Sequence, residues 1–228
     1  ADFKVQSDNN THMLFVDASA NAVGINVSNP TYPFEVVGNS SAQAIKVRGR
    51  SSDNIGELNF TNNAGDSTYN QLQSLSTEWK IRAIADIPMS FHTNNTERMK
   101  IDNNGHVTMP YQSAFSAQTG SGSTTISAGS TQTIILGGEI FDQNLDYSTG
   151  TYKFTAPVTG KYQLQGHLRI NSMDTSANYY LLWIVTANRD YYMIIDPDGF
   201  DSVPNFFTMD ISVLADMDAN DTAELKVQ

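Results

Sequence analysis

Residues 145–170 read LDYSTGTYKFTAPVTGKYQLQGHLRI. The stretch is turn, strand, turn and long strand. Ser148-Thr149-Gly150 and Pro157-Val158-Thr159-Gly160 are the turns, because Gly tolerates positive φ and Pro fixes φ. From Lys161 onward the residues alternate. Tyr162, Leu164, Gly166, Leu168 and Ile170 fall on one side, Lys161, Gln163, Gln165, His167 and Arg169 on the other. A period of two with one apolar side is a half-buried strand.

The same character runs through all 228 residues. Only 16% are charged, and the polarity comes mostly from Asn, Ser and Thr, which compete with helices for backbone hydrogen bonds and prefer turns and edges. No segment carries a helical apolar stripe, so the chain reads as all-β. Its length suits two medium domains or one large β domain. A net charge of −11 argues against attraction to phosphate backbones. With no cysteine there is no disulfide framework and no thiolate chemistry, which fits an intracellular product or a particle assembled in a reducing cell and then released. No apolar run approaches the roughly 20 residues of a membrane span. The sequence opens on Ala1, which reads as a trimmed start or a fragment.

Residues 1–109 form the first expected unit, with short apolar runs between Asn, Gly, Ser and Asp clusters. Met13–Val16, Val23–Ile25, Phe34–Gly38, Ala44–Val47, Glu57–Thr61 and Trp79–Ile84 read as short strands joined by tight turns. Phe15-Val16-Asp17 to Val23-Gly24-Ile25 is echoed by Lys100-Ile101-Asp102 to Val107-Thr108-Met109. The echo is either a repeat or the likeness of any two hairpins.

Two segments here resemble a pattern of phage fibre proteins. One is Val23-Gly24-Ile25-Asn26-Val27-Ser28-Asn29-Pro30 with Phe34–Gly38. The other, more specific, is Phe91-His92-Thr93-Asn94-Asn95-Thr96-Glu97-Arg98-Met99-Lys100-Ile101 with its Gly105 turn. Asn26 and Val27 depart from the pattern, which has Gly and Thr there, although Asn also accepts left-handed backbone. Strands this short make a thin core in one copy. Three copies wound together would bury the apolar sides and remove exposed edges, so a slender trimeric β fibre region is expected.

Residues 110–228 form the second expected unit. The order Asp-Tyr, Thr-Gly, Phe-Thr-Ala-Pro, Gly, Tyr within 146–162 resembles the globular head of the complement and tumour-necrosis-factor-like jelly-roll superfamily. The resemblance implies a β-sandwich knob, a trimer, and binding rather than catalysis. It places a first strand at Tyr111–Ala117, a loop in the tract from Thr119 to Ser130, a strand at Thr133–Leu136, and a turn and strand at Asp218–Val227. The family's last strand is not found before Gln228, so the natural chain is expected to be longer.

Asn178–Thr186 reads NYYLLWIVT, apolar on both sides. A sandwich strand needs only one buried face, and a wet second face would be a sizeable apolar patch. Tyr180, Leu182 and Ile184 are therefore the expected trimer interface, the alternative being cover by a loop of the same subunit. Tyr191–Ile195 and Phe206-Phe207 share the two-faced character.

Candidate chemistry is sparse. His12, His92, His106 and His167 lack metal-ligand spacing, and no nucleophile elbow, phosphate loop or zinc helix occurs. No catalytic residue and no cofactor is expected. Asp196, Asp198 and Asp201 resemble the opening of a calcium loop but lack the closing glutamate. They are either a receptor-loop or ion site or a Pro-Gly turn. Asp216, Asp218 and Asp221 read as a structural turn. The Asn-x-Ser/Thr matches at Asn26, Asn39, Asn59, Asn94 and Asn220 would carry meaning only in a eukaryotic secreted protein.

Together these expectations describe a non-enzymatic phage virion protein. It would be a homotrimeric tail fibre that meets other virion proteins and binds a host-surface glycan or protein through knob loops at Asn171–Asn178, Ala187–Asp190 and Asp196–Pro204. No nucleic acid or membrane insertion is expected. The rivals are a capsid head fibre or decoration protein, a tailspike enzyme acting on surface polysaccharide, and a secreted complement-like protein, which would need a collagen-type stalk.

Overall fold

The computed structural model describes residues 2–38, 45–120, 124–127 and 129–228. It is all-β: no α-helix occurs among the described residues. Asn39-Ser40-Ser41, Ala44 of the expected Ala44–Val47 strand, and residues 121–123 and 128 of the Ser/Gly/Thr tract lie outside them; Ile45–Val47 is not in a strand. The chain divides into two compact units, Ala1–Met89 and Ser90–Gln228.

The first unit holds two sheets. β1 (Phe3–Ser7), β2 (Asn10–Asp17), β3 (Ala22–Ile25) and β4 (Phe34–Val36) form one sheet in that order. Their register aligns Phe3, Val16, Val23 and Phe34 in one row across all four strands. On the reverse, Phe15 and Ala22 are buried. Gly24 is required there, because a Cβ would lie 2.7 Å from Val27 Cγ1. The second sheet is β5 (Gly56–Thr61), β6 (Thr68–Ser74) and β7 (Trp79–Ala83). β8 (Met89–Thr93), β9 (Thr96–Ile101) and β10 (Val107–Thr108) make a small sheet that starts at the division.

The echoed hairpins are β2–β3 and β9–β10, and they share a mechanism. Asp17 Oδ1 accepts from the Ser19 hydroxyl at 2.6 Å and from the Ser19 and Ala20 N–H groups at 2.8 and 2.9 Å. Asp102 Oδ1 accepts from the Asn104 and His106 N–H groups at 2.8 and 2.9 Å. Each Asp closes the turn that follows its strand. Asn26 adopts φ +62°, the left-handed backbone expected of it.

The Asp17 turn gives a pH prediction. The Ser19 hydroxyl, then the Ala20 N–H, hold its carboxyl below the ordinary value of 3.8, against the opposing effect of burial. A folded-state pKa below the unfolded one means stability that is present above the unfolded value and lost as pH falls through the folded value. The urea midpoint of the first unit should therefore drop between pH 6 and pH 3. Asp17→Asn should lower the midpoint at pH 6 and flatten that drop; parallel titrations of the two proteins would contradict this.

In the second unit, β11 (Phe115–Gln118), β12 (Gln132–Thr133), β13 (Gly138–Asp142), β14 (Tyr147–Ser148), β15 (Lys153–Thr155), β16 (Gly160–Asn171), β17 (Tyr180–Thr186), β18 (Asp190–Ile195), β19 (Phe206–Met217) and β20 (Thr222–Val227) follow in sequence. One sheet runs β14-β15-β20-β17-β18, with β12 also on β20. β16 pairs with β19, and β11 with β13. The long strand read from the sequence is β16: Leu164, Gly166 and Ile170 are buried, and the Lys161-to-Arg169 side is exposed. β16 and β19 keep one register over their full length, from Gly160↔Met217 to Asn171↔Phe206.

The inner face of this ribbon meets the six-stranded sheet in one core containing Leu164, Met209, Ile211, Met217, Phe154 and Leu182. Burial of such side chains contributes about 1.5–3 kcal/mol each. Gly166 lets the layers close: a Cβ there would stand 2.5 Å from Leu225 Cδ1 and 3.1 Å from Ile211 Cγ2. Two expected strands are shorter than their sequence runs. The first begins at Phe115, because Gln112 N–H bonds Met109 O in a turn, and β12 ends at Thr133.

Candidate assembly faces and ligand loops

The β5–β7 sheet has its polarity inverted. Register puts Leu58, Leu72 and Ile81 in one row, with Phe60 and Trp79 on the same face. That face is open: Leu58, Phe60, Trp79 and Ile81 are exposed, Trp79 by 64%. The opposite face is polar and satisfies itself. Gln71 Nε2 donates to Glu57 Oε2 at 3.0 Å and to Asn59 Oδ1 at 2.8 Å, Gln73 Nε2 donates to the same Glu57 oxygen at 3.2 Å, and Arg82 Nη1 donates to Gln71 Oε1 at 3.0 Å. Gln71 and Gln73 are buried. A sheet that closes its hydrogen bonds on one face and leaves apolar side chains on the other is built to be covered. The β1–β4 sheet adds exposed Phe3 and Phe34, the two ends of its own row, and exposed Val5 on the same face.

β17 corrects the expected interface. Leu182 and Ile184 are buried at 0% and 4% exposure, inside the single chain's core. Tyr180 is half-buried, and its hydroxyl accepts from Asp174 N–H at 2.9 Å. The cause is the β16–β19 ribbon, which packs on the even-numbered face of β17. The outward side is the odd-numbered one. Leu181, Trp183 and Val185 are half-buried, and Leu181 and Trp183 stand opposite Ile194 and Tyr192 of β18, which are exposed. Both faces are apolar, as the sequence indicates, and the even-numbered one is the inner.

The three expected ligand loops do not converge. Residues 172–179 and 196–205 lie at one end of the second unit, tied by Ser172 N–H to Asn205 O at 3.0 Å and Met173 N–H to Pro204 O at 3.2 Å. Met173, fully buried, pins the first loop, and buried Pro197 and the Phe200–Phe207 ring contact pin the second. Asp174 caps its own loop. The hydroxyl and N–H of Ser176 hold its carboxyl below the ordinary range against the effect of burial. Ala187–Asp190 lies at the opposite end, because it joins the far ends of β17 and β18; there Asn188 Nδ2 donates to Asp216 O at 3.0 Å.

The acidic residues serve turns. Asp196 Oδ1 accepts from Asp198 N–H at 3.0 Å, opening a short 3-10 turn at Pro197–Gly199. Asp196, Asp198 and Asp201 do not come together as a ligand set, and no metal-holding cluster of His, Asp and Glu occurs among the described residues. Asp218 and Asp221 bond each other's backbone across the turn before β20, and Asp216 pairs with Lys161 at 2.5 Å. The histidines are dispersed: His12 packs edge-on to Phe15, His92 meets Ser90, His106 meets Asp102, and His167 meets Asp210. The inverted sheet is what sequence reading missed. Asn70, Gln71 and Gln73 are all polar around Leu72, so no alternation marks the face.

No family model matches the chain, and no curated protein sequence matches it.

Proposed function

We propose that this chain is a structural protein of a phage virion, a homotrimeric fibre whose second unit attaches the particle to a host-surface glycan or protein. The observation that carries the reading is the open apolar face of β5–β7, backed by a polar face that needs no partner. A free chain with that face in water would be prone to association, and three copies around an axis supply the cover. The paired loops at 172–179 and 196–205 support the binding half of the reading. They are polar, exposed at their tips and pinned from below by Met173 and Pro197, which is the usual construction of a recognition surface. The sequence resemblances to phage fibres and to the jelly-roll superfamily point the same way.

The test is competition. Purified protein, added to host cells before the phage that encodes it, should reduce adsorption roughly tenfold or more at saturation. Antibody raised against the chain should label the surface of intact particles. Undiminished adsorption with labelled particles would overturn the attachment role, and unlabelled particles would overturn the virion assignment.

A further inference from the structure

We propose, resting on the attachment role above, that the outer face of β17, β18 and β20 is a platform for a flat, β-linked hexose chain. Register places Tyr192, Trp183 and Lys226 in one row across the three strands, and Val185 and Glu224 side by side in the next. Trp183 is half-buried and Tyr192 is 67% exposed. Beyond Lys226 and Glu224 the face continues onto Thr133 of β12 and Lys153 of β15. One half of the face is thus aromatic and the other polar. The platform runs up to the paired loops, because β17 starts and β18 ends where residues 172–179 and 196–205 leave the sheet.

The polar half is already organised. Glu224 Oε2 accepts from the Thr133 hydroxyl at 2.9 Å, and Glu224 Oε1 meets Lys153 Nζ at 3.2 Å and Lys226 Nζ at 3.3 Å. An ammonium has three donors, and a carboxylate has two oxygens with several acceptor positions. The cluster can therefore hold itself together and still bond hydroxyls. A second protein surface laid over it would take three charges out of water, at a cost that only further polar partners offset. A sugar brings those partners on the edges of its ring. Its ring faces carry C–H groups, which suit the negative face of an indole or phenol. Side chains opposite one another on neighbouring strands stand about 5 Å apart, close to the length of one pyranose ring, so successive hexoses meet Tyr192 and Trp183 in turn. Equatorial β-linkages keep such a chain extended, as a sheet face requires, whereas α-linked glucose coils. The open face of β5–β7 differs on this point, because its bonded polar groups lie on the reverse, away from its aromatic side chains.

The test uses the full chain carrying Trp79→Phe, which leaves Trp183 as the single tryptophan. Its fluorescence should change saturably with at least one of the β-linked hexaoses of glucose, galactose and mannose, with a Kd of about 1 mM or below. The response to maltohexaose, the α-linked glucose chain, should be at least tenfold weaker. Tyr192→Ala removes an exposed ring and keeps the reporter; it should weaken binding tenfold or more. Phe206→Ala, which removes an exposed ring from β19, should leave binding unchanged. No response to any β-linked hexaose, an equal response to maltohexaose, or undiminished binding by Tyr192→Ala would overturn the platform. Tyr192→Ala protein that still blocks phage adsorption in full would also overturn it, and leave the attachment role intact. Hexaose binding by a protein that does not block adsorption would uphold the platform and overturn the attachment role.

Discussion

Leu72→Asp should convert the assembled protein to single chains. Leu72 is the middle of the Leu58–Leu72–Ile81 row. If that row packs around a three-fold axis, the substitution removes three leucine side chains from the interface, about 1.5–3 kcal/mol each. It also forces three carboxylates towards one another out of water, which adds further cost. A loss of about 5 kcal/mol or more corresponds to over three orders of magnitude in association. In the single chain Leu72 is half-buried between the exposed Leu58 and Ile81, so the fold itself should lose less than the assembly does. Sedimentation should move from trimer to monomer with the far-ultraviolet spectrum retained, and Lys80→Ala, on the opposite face, should leave the trimer intact. A Leu72→Asp protein that still sediments as a trimer would remove this sheet from the interface.

Phe154→Ala should cost the second unit about 3–5 kcal/mol. Phe154 is 3% exposed, stacks on Phe115 and tilts against Tyr162, with both ring centroids 5.3 Å away. Its loss leaves a ring-sized void between two layers that are elsewhere in contact, and the rigid β15–β20 pairing around it limits collapse into the space. In calorimetry the transition of the second unit should fall by roughly 10 °C or more, with that of the first unit unmoved. A shift of only a degree or two would mean that the layers close over the gap.

Much of the architecture was legible because backbone chemistry is local. The alternation at Lys161–Ile170 names β16 and its inward face, because only one side of that strand is apolar. Asn26 was readable as left-handed, and the two Asp-headed hairpins show one turn mechanism in both copies. β17 was legible only by halves. Period two separates Tyr180, Leu182 and Ile184 from Leu181, Trp183 and Val185, but when both sets are apolar it carries no sign. A partner distant in sequence, β19, chooses the inner set. The β5–β7 face was hidden for the converse reason. Its polar side is buried by side chains bonding one another, a property of register across three strands rather than of any one run. The expected ligand loops were visible as loops, but which of them share an end depends on how many strands lie between them.

The unbroken β16–β19 ribbon has a mechanical consequence. Twelve residues a side span about 40 Å, from the paired loops at one end to the Gly160 and Met217 turns at the other. A tug entering through Phe206 and leaving through Gly160 draws the two strands past each other lengthwise. All the cross-links between them then share the load at once instead of parting one by one, so the ribbon should hold against a lengthwise pull far better than against one that peels its strands apart.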